Sequence, residues 1–113
     1  DLSNYKNLKE FSVEGSTENL QLNGCANLEK LDIEDYYLKT LNLSGCSELT
    51  EFDTLDQDNL KNIDFTGCKS LKKLRISSGG LKKLNLQECS KLKELEVNAG
   101  KLTDLKLPEK IQK

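Results

Sequence analysis

Apolar residues recur along this chain in a fixed hexad, L-x-x-L-x-L. Its copies start at Leu8, Thr17, Leu28, Leu38, Leu49, Leu60, Leu71, Leu81, Leu92 and Leu102. The starts lie 9 to 11 residues apart, and of the 30 template positions only Thr17 and Thr54 are polar. The end of each hexad alternates apolar, polar, apolar, the period-2 signature of a short strand with one buried face. Turn formers follow: Asn23-Gly24, Ser44-Gly45, Thr66-Gly67, Ser78-Gly79-Gly80 and Asn98-Ala99-Gly100. No stretch holds an apolar stripe of 3.6-residue period over three turns, so the pattern predicts little or no α-helix. Strand and turn repeating in one register predict a solenoid and not a sandwich.

The hexads are of two kinds. Those starting at Thr17, Leu38, Leu60 and Leu81 carry a cysteine at the ninth position, whereas the intervening ones carry Tyr36, Gln57, Gly79 and Gly100 there. The four cysteines are 21, 22 and 21 residues apart. The unit is therefore a pair of hexads, and the pattern predicts a single domain over residues 1–113, about five coils with repeats over 8–107. Such coils stack at strand spacing, ~4.8 Å apart. The alternative is that the chain is a fragment of a longer array. Leu2 and Tyr5 are placed to fold onto the open end of the first coil, Pro108 marks the exit from the repeat, and Ile111 is placed to fold back over the last coil.

Composition changes this picture little. Charged residues make up 32% and apolar residues 35%, a share that would suggest weak folding if the apolar residues were scattered. They are ordered by the repeat, so the disorder reading fails. No apolar run approaches the ~18 residues of a membrane span, and no basic-then-apolar leader is present. Charge is uneven: residues 1–64 balance to −9, residues 65–93 to +7 and residues 94–113 to zero, for a net −2. A solenoid keeps such blocks in order along its axis, as a charge dipole.

The cysteines invite a zinc or disulfide reading. Zinc ligands usually arrive in close C-x2-4-C pairs, and no two cysteines here are close in sequence. One period apart, they stack one per coil. Cys25, Cys46, Cys68 and Cys89 read as buried, reduced thiols filling small core positions, with a disulfide between stacked neighbours as the alternative.

These residues resemble the leucine-rich repeat family. The consensus L-x-x-L-x-L-x-x-N/C-x-L matches Leu38–Leu49 at all specified positions but one, since two residues separate Cys46 from Leu49. The resemblance implies a right-handed solenoid with parallel β on the concave face and short strands or extended segments on the convex face. It also implies that the cysteine position lies inside, stacks from coil to coil and helps to satisfy turn backbone. Units of 21–22 residues with a second L-x-x-L-x-L on the back resemble bacterial surface repeats of the internalin and Bacteroidetes types. Plant resistance-type repeats have longer, proline-richer backs, and this chain has one proline.

In such a solenoid the residues between the leucines face solvent. On the cysteine-type hexads these are Asn19, Gln21 and Asn23; Thr40, Asn42 and Ser44; Asn62, Asp64 and Thr66; and Lys83, Asn85 and Gln87. This strip of amides and hydroxyls is the candidate ligand surface for a protein or glycan, although it lacks the Trp, Tyr and Arg that commonly anchor interfaces. The alternate hexads carry charge: Lys30, Asp32 and Glu34; Glu51 and Asp53; Lys73 and Arg75; Glu94 and Glu96. The basic cluster Lys72, Lys73, Arg75, Lys82 and Lys83 lacks interleaved aromatics, and the pI of 5.2 is opposite to a nucleic-acid footprint. Asp53, Asp56 and Asp58 do not complete a calcium loop. Tyr36 and Tyr37 are the one pair of adjacent aromatics.

Catalysis is disfavoured: there is no histidine, no G-x-S-x-G and no phosphate loop. No cofactor or metal is expected. The expected role is a non-enzymatic protein-binding scaffold, by resemblance a bacterial secreted or cell-surface adhesion module engaging a host protein or glycan. The alternative is a structural or self-association segment of a larger surface protein. Open solenoid edges are templates for pairing, and the acidic and basic halves are complementary in an antiparallel homodimer.

Overall fold

The structure, a computed structural model, describes residues 7–13, 17–33, 37–54 and 59–108. Each hexad becomes one strand that begins two residues after the hexad start. The strands are β1 (Glu10–Val13), β2 (Asn19–Gln21), β3 (Lys30–Ile33), β4 (Thr40–Asn42), β5 (Glu51–Thr54), β6 (Asn62–Asp64), β7 (Lys73–Ser77), β8 (Lys83–Asn85), β9 (Glu94–Asn98) and β10 (Asp104–Lys106). The described residues contain no helix, so none is long and apolar enough to cross a membrane.

The odd strands form one five-stranded sheet in the order β1-β3-β5-β7-β9. The even strands face them in two pieces, β2-β4-β6 and β8-β10. All pairings are parallel, and registered partners lie one unit apart, as in Glu51↔Lys73 and Lys73↔Glu94. The chain is thus a parallel β-solenoid in which five strand pairs are joined by about four turns. Its extents are 31 × 27 × 16 Å. The shortest suits two sheets packed face to face, which need about 10 Å between backbones plus outward side chains.

The core is a stack of rungs between the sheets. Leu31, Phe52 and Leu74 align in one column and Leu20 and Leu41 in another, all buried. The four cysteines, Leu28, Leu49, Leu71 and Leu92 fill the turns between the sheets and are fully enclosed. Thr54, the polar intruder at an apolar slot, is buried and accepts a hydrogen bond from Ser77 N at 3.4 Å.

Strand length runs opposite to the expectation of sheet on the cysteine side and shorter strands behind. Cysteine-side strands are three residues long, whereas those opposite have four or five. The cause is local. The carboxamide or carboxylate oxygen of Asn42, Asp64 or Asn85, the last residue of its strand, accepts the N–H two residues on, from Ser44, Thr66 or Gln87, at 2.9–3.0 Å. That side chain-to-backbone turn competes with the ladder and ends the strand.

Candidate functional site

The residues expected from sequence to face a ligand lie along the cysteine-side strands and the turns that follow them. Register places Asn19, Thr40 and Asn62 in one row and Gln21, Asn42 and Asp64 in the next. Lys83 and Asn85 stand beside Asp104 and Lys106 in the separate two-stranded piece. Much of the strip is engaged internally. The Thr40 hydroxyl donates to Asn19 Oδ1, and Asn42 Nδ2 donates to Gln21 Oε1 at 3.3 Å. Asn42, Asp64 and Asn85 hold their turns, so these three expected ligand residues have a structural task. Asn23 and Ser44 are half-buried in the turns, while Thr66 and Gln87 are exposed.

The step from β6 to β8 is where this face differs from a uniform strip. Leu22 N donates to Asn42 O and Leu43 N to Asp64 O, each at 2.9 Å, and Leu86 N to Lys106 O at 2.7 Å. The corresponding bond from Phe65 N to Asn85 O is absent. Gly24 N reaches Ser44 O and Gly45 N reaches Thr66 O, yet Gly67 N makes no such bond to Gln87 O. Opposite, the ladder is unbroken: Glu29, Thr50, Lys72 and Lys93 each donate to the coil before.

The sequence reason lies one residue before each cysteine. Gly24, Gly45 and Gly67 occupy that place with φ of 80–81°, a left-handed conformation that a side chain resists. A Cβ on Gly67 would lie 3.3 Å from Gly45 N, so the column also needs glycine for close approach. The fourth turn has Glu88 there. It lacks the i to i+2 contact made by Ala26, Ser47 and Lys69 to their turn glycines, and coil four stands off coil three. Phe65, larger than the leucines in its column, adds bulk at the same coil and packs edge-on against Phe52, with centroids 5.8 Å apart. Ser78 Oγ donates to Leu60 O at 3.0 Å and ties the two coils at one end of the split.

A groove of about 360 Å³ lies on this face over β4 and β6 and reaches β8 at Asn85; Gln21, Thr40, Asn42, Asn62, Asp64, Thr66 and Asn85 line it over Leu41, Ile63 and Phe65. Ile63 is the one described template residue away from the first and last coils that is not buried. Sequence reading missed the groove, although the loss of glycine at Glu88 was its visible signal.

The four cysteines are buried thiols that form no disulfide. The Cys46 thiol donates to Leu22 O at 3.2 Å and the Cys68 thiol to Leu43 O at 3.3 Å, so each ties its turn to the preceding coil. Burial pushes the Cys46 thiol up to about 12, with Cys25 adding to the rise, and Cys89 up to about 11, with Glu88 adding. Burial also raises Cys25 and, further, Cys68. Thiols held protonated inside a core are poor nucleophiles and poor metal ligands.

On the opposite sheet the charged residues pair across the ladder. Lys73 lies 3.9 Å from both Glu51 and Glu94; Arg75 lies 2.8 Å from Glu96 and 3.8 Å from Asp53. The Glu96 hydrogen bond, with the charges of Glu96 and Asp53, raises the Arg75 pKa above its ordinary value. A shallow 340 Å³ depression here is lined by these same pairs. The basic cluster of the sequence is thereby divided: Lys73 and Arg75 are neutralised by acidic neighbours, and Lys82 and Lys83 belong to the other face.

Tyr37 is exposed, at 59%, while Tyr36, Asp56, Asp58, Leu2, Tyr5 and Ile111 lie outside the described residues. Among the described residues no group of three His, Cys, Asp or Glu side chains is disposed to hold a metal ion. Comparison with family models, curated proteins and solved structures finds no match to this chain.

Proposed function

We propose that this chain is a non-enzymatic binding scaffold of the leucine-rich repeat type, and that its partner docks on the cysteine-side face in the groove over β4 and β6, beside the β6–β8 split. The observation that carries this reading is the groove itself. One step of an otherwise regular ladder is open, Ile63 is only partly buried, and Phe65 and Gly67 lack the cross-coil backbone partners of their counterparts. Amides, two hydroxyls and one carboxylate surround that floor. An apolar floor with a hydrogen-bonding rim suits an extended peptide or a glycan. Burial of all four thiols supports a role without catalysis. The setting, a bacterial secreted or surface protein engaging a host protein or glycan, rests on the repeat resemblance alone.

The test is a peptide-display and glycan-array screen of the whole chain, followed by Asn62→Arg and Thr66→Arg. Both residues are exposed, and neither side chain holds a turn. Ligands of the proposed site lose at least tenfold in affinity in both variants. Ligands indifferent to them, but sensitive to Lys30→Glu on the opposite sheet, would remove the assignment. The second reading, a structural or self-associating segment, has the exposed Leu105 and Leu107 in its favour. It expects no ligand from the screen and a concentration-dependent oligomer in sedimentation.

A further inference from the structure

The groove over β4 and β6 is neutral except at one point. Of the ten residues that line it, Asp64 alone carries a charge. The depression on the opposite sheet has six charged residues in its lining, and each has a partner of opposite sign within 3.9 Å. Asp64 differs from all of them, since it forms no ion pair among the described residues.

Its neighbours do not compensate for the charge. By register the row across the sheet runs Gln21, Asn42, Asp64. Asn42 Nδ2 donates to Gln21 Oε1 at 3.3 Å, on the side away from Asp64. Asn85 spends its oxygen on Gln87 N–H and makes no bond to Asp64. The Asp64 side chain accepts one hydrogen bond among the described residues, from Thr66 N to Oδ1 at 2.9 Å. A carboxylate has room for about four. Asn62, two residues earlier on the same strand face, is exposed, and its carboxamide bonds no described residue. The turn does not account for the charge either, because Asn42 and Asn85 hold the same turn with a neutral oxygen.

We propose that the ligand of this groove is an extended peptide segment carrying a lysine or arginine. The methylene stem of that side chain lies on the partly buried Ile63, and its cationic head is held by Asp64 with Asn62. Lysine and arginine join an apolar stem to a charged tip, which matches an apolar residue flanked along one strand by a carboxamide and a carboxylate. A neutral glycan would leave the carboxylate uncompensated, and an acidic segment would be repelled by it. The proposal rests on the groove being the binding site and specifies what that site selects.

The experiment pans a random peptide display library against the full chain, Asp64→Asn and Glu29→Gln. The two variants have equal net charge, and Glu29 is exposed outside the groove. Peptides weakened by Asn62→Arg and Thr66→Arg are assigned to the groove. Those selected by the full chain and by Glu29→Gln are expected to share a lysine or arginine at one position, and those selected by Asp64→Asn are not. In one such synthetic peptide, replacing that residue by glutamine is expected to weaken binding to the full chain by about three- to fivefold, the size of an exposed charge pair. The effect should vanish in Asp64→Asn and shrink in 1 M salt. Groove-assigned peptides without the basic preference, or a preference that survives in Asp64→Asn, would overturn the selection of a cation while leaving the groove as a binding site. A screen that yields no groove-assigned peptide would overturn both. Binding of a glucosamine oligomer in the groove in place of any peptide would also overturn the proposal, because the cation would then belong to a sugar.

Discussion

Single residues decide how the cysteine-side turns work. Cysteine serves here as a small core residue with a weak donor, and Cys46 and Cys68 use that donor on the carbonyl of the coil below. Their protonation makes alkaline stability a direct readout. An unfolded thiol ionises near its ordinary pKa of 9.0, whereas buried Cys89 and Cys46 stay protonated up to about 11 and 12. Above that ordinary value the unfolded chain binds fewer protons than the folded one, so stability falls as pH rises. The slope is about 1.4 kcal/mol per pH unit for each thiol that ionises only on unfolding. Urea unfolding under reducing conditions should show a plateau to about pH 8 and a steep decline above it. Cys46→Ala should lower the baseline and flatten that decline by about one thiol's slope. An unchanged slope would mean that Cys46 is not shielded. Asn42, Asp64 and Asn85 teach a related lesson: in sequence they read as solvent-facing ligand residues, but each spends its side-chain oxygen on its own turn. The identity of a short polar residue leaves open whether its partner is water, a ligand or a nearby N–H.

At the scale of elements, the hexads were fully legible: ten of them became ten strands in the expected places, because a strict alternation bounded by turn residues admits one buried face. What was not legible was continuity between neighbouring strands. That depends on backbone approach at the turn and not on the apolar pattern, which Leu60, Ile63 and Phe65 satisfy as well as any other hexad. The glycine column and its interruption at Glu88 govern the approach. Glu88→Gly should therefore let the fourth turn adopt the left-handed form and restore the cross-coil bonds from Phe65 N and Gly67 N. Each such bond contributes about 1 kcal/mol net, so the variant should be more stable by about 1–2 kcal/mol in urea unfolding. Amide exchange at Phe65 and Gly67 should slow together. The same closure should cover Ile63 and weaken any ligand of the groove, linking stability to function with opposite signs. If stability and exchange stay as they were, the bulk of Phe65 is the sole cause of the split.

At the scale of the whole molecule, charge is arranged by strand number. The blocks of −9 and +7 read from sequence are stacked in order, but one row of the long sheet has a finer pattern: Glu10, Lys30, Glu51, Lys73 and Glu94 alternate from one coil to the next, whereas the row two residues on sets Asp32 beside Asp53. Exposed pairs each contribute only ~0.2–1 kcal/mol, so no single pair holds the fold. Placement matters more: Lys73→Glu would line up three glutamates at Glu51, position 73 and Glu94. The expected cost is about 1–2 kcal/mol at low salt, shrinking in 1 M salt as screening shortens the reach of the repulsion. Lys72→Glu, outside the row, should cost less than half as much in the same urea titration.

The alternating row also constrains how a chain of this kind can change length. Remove the coil bearing Glu51 and Lys30 comes to rest beside Lys73; remove the one bearing Lys73 and Glu51 meets Glu94. Duplicating any one coil sets two like charges side by side in the same way. Gain or loss of coils in pairs keeps every neighbour opposite in sign. This row is in that sense a two-letter sequence written across the strands, with a parity rule: steps of two coils, about 42 residues, keep its exposed ion pairs, and steps of one lose ~0.2–1 kcal/mol for each pair broken.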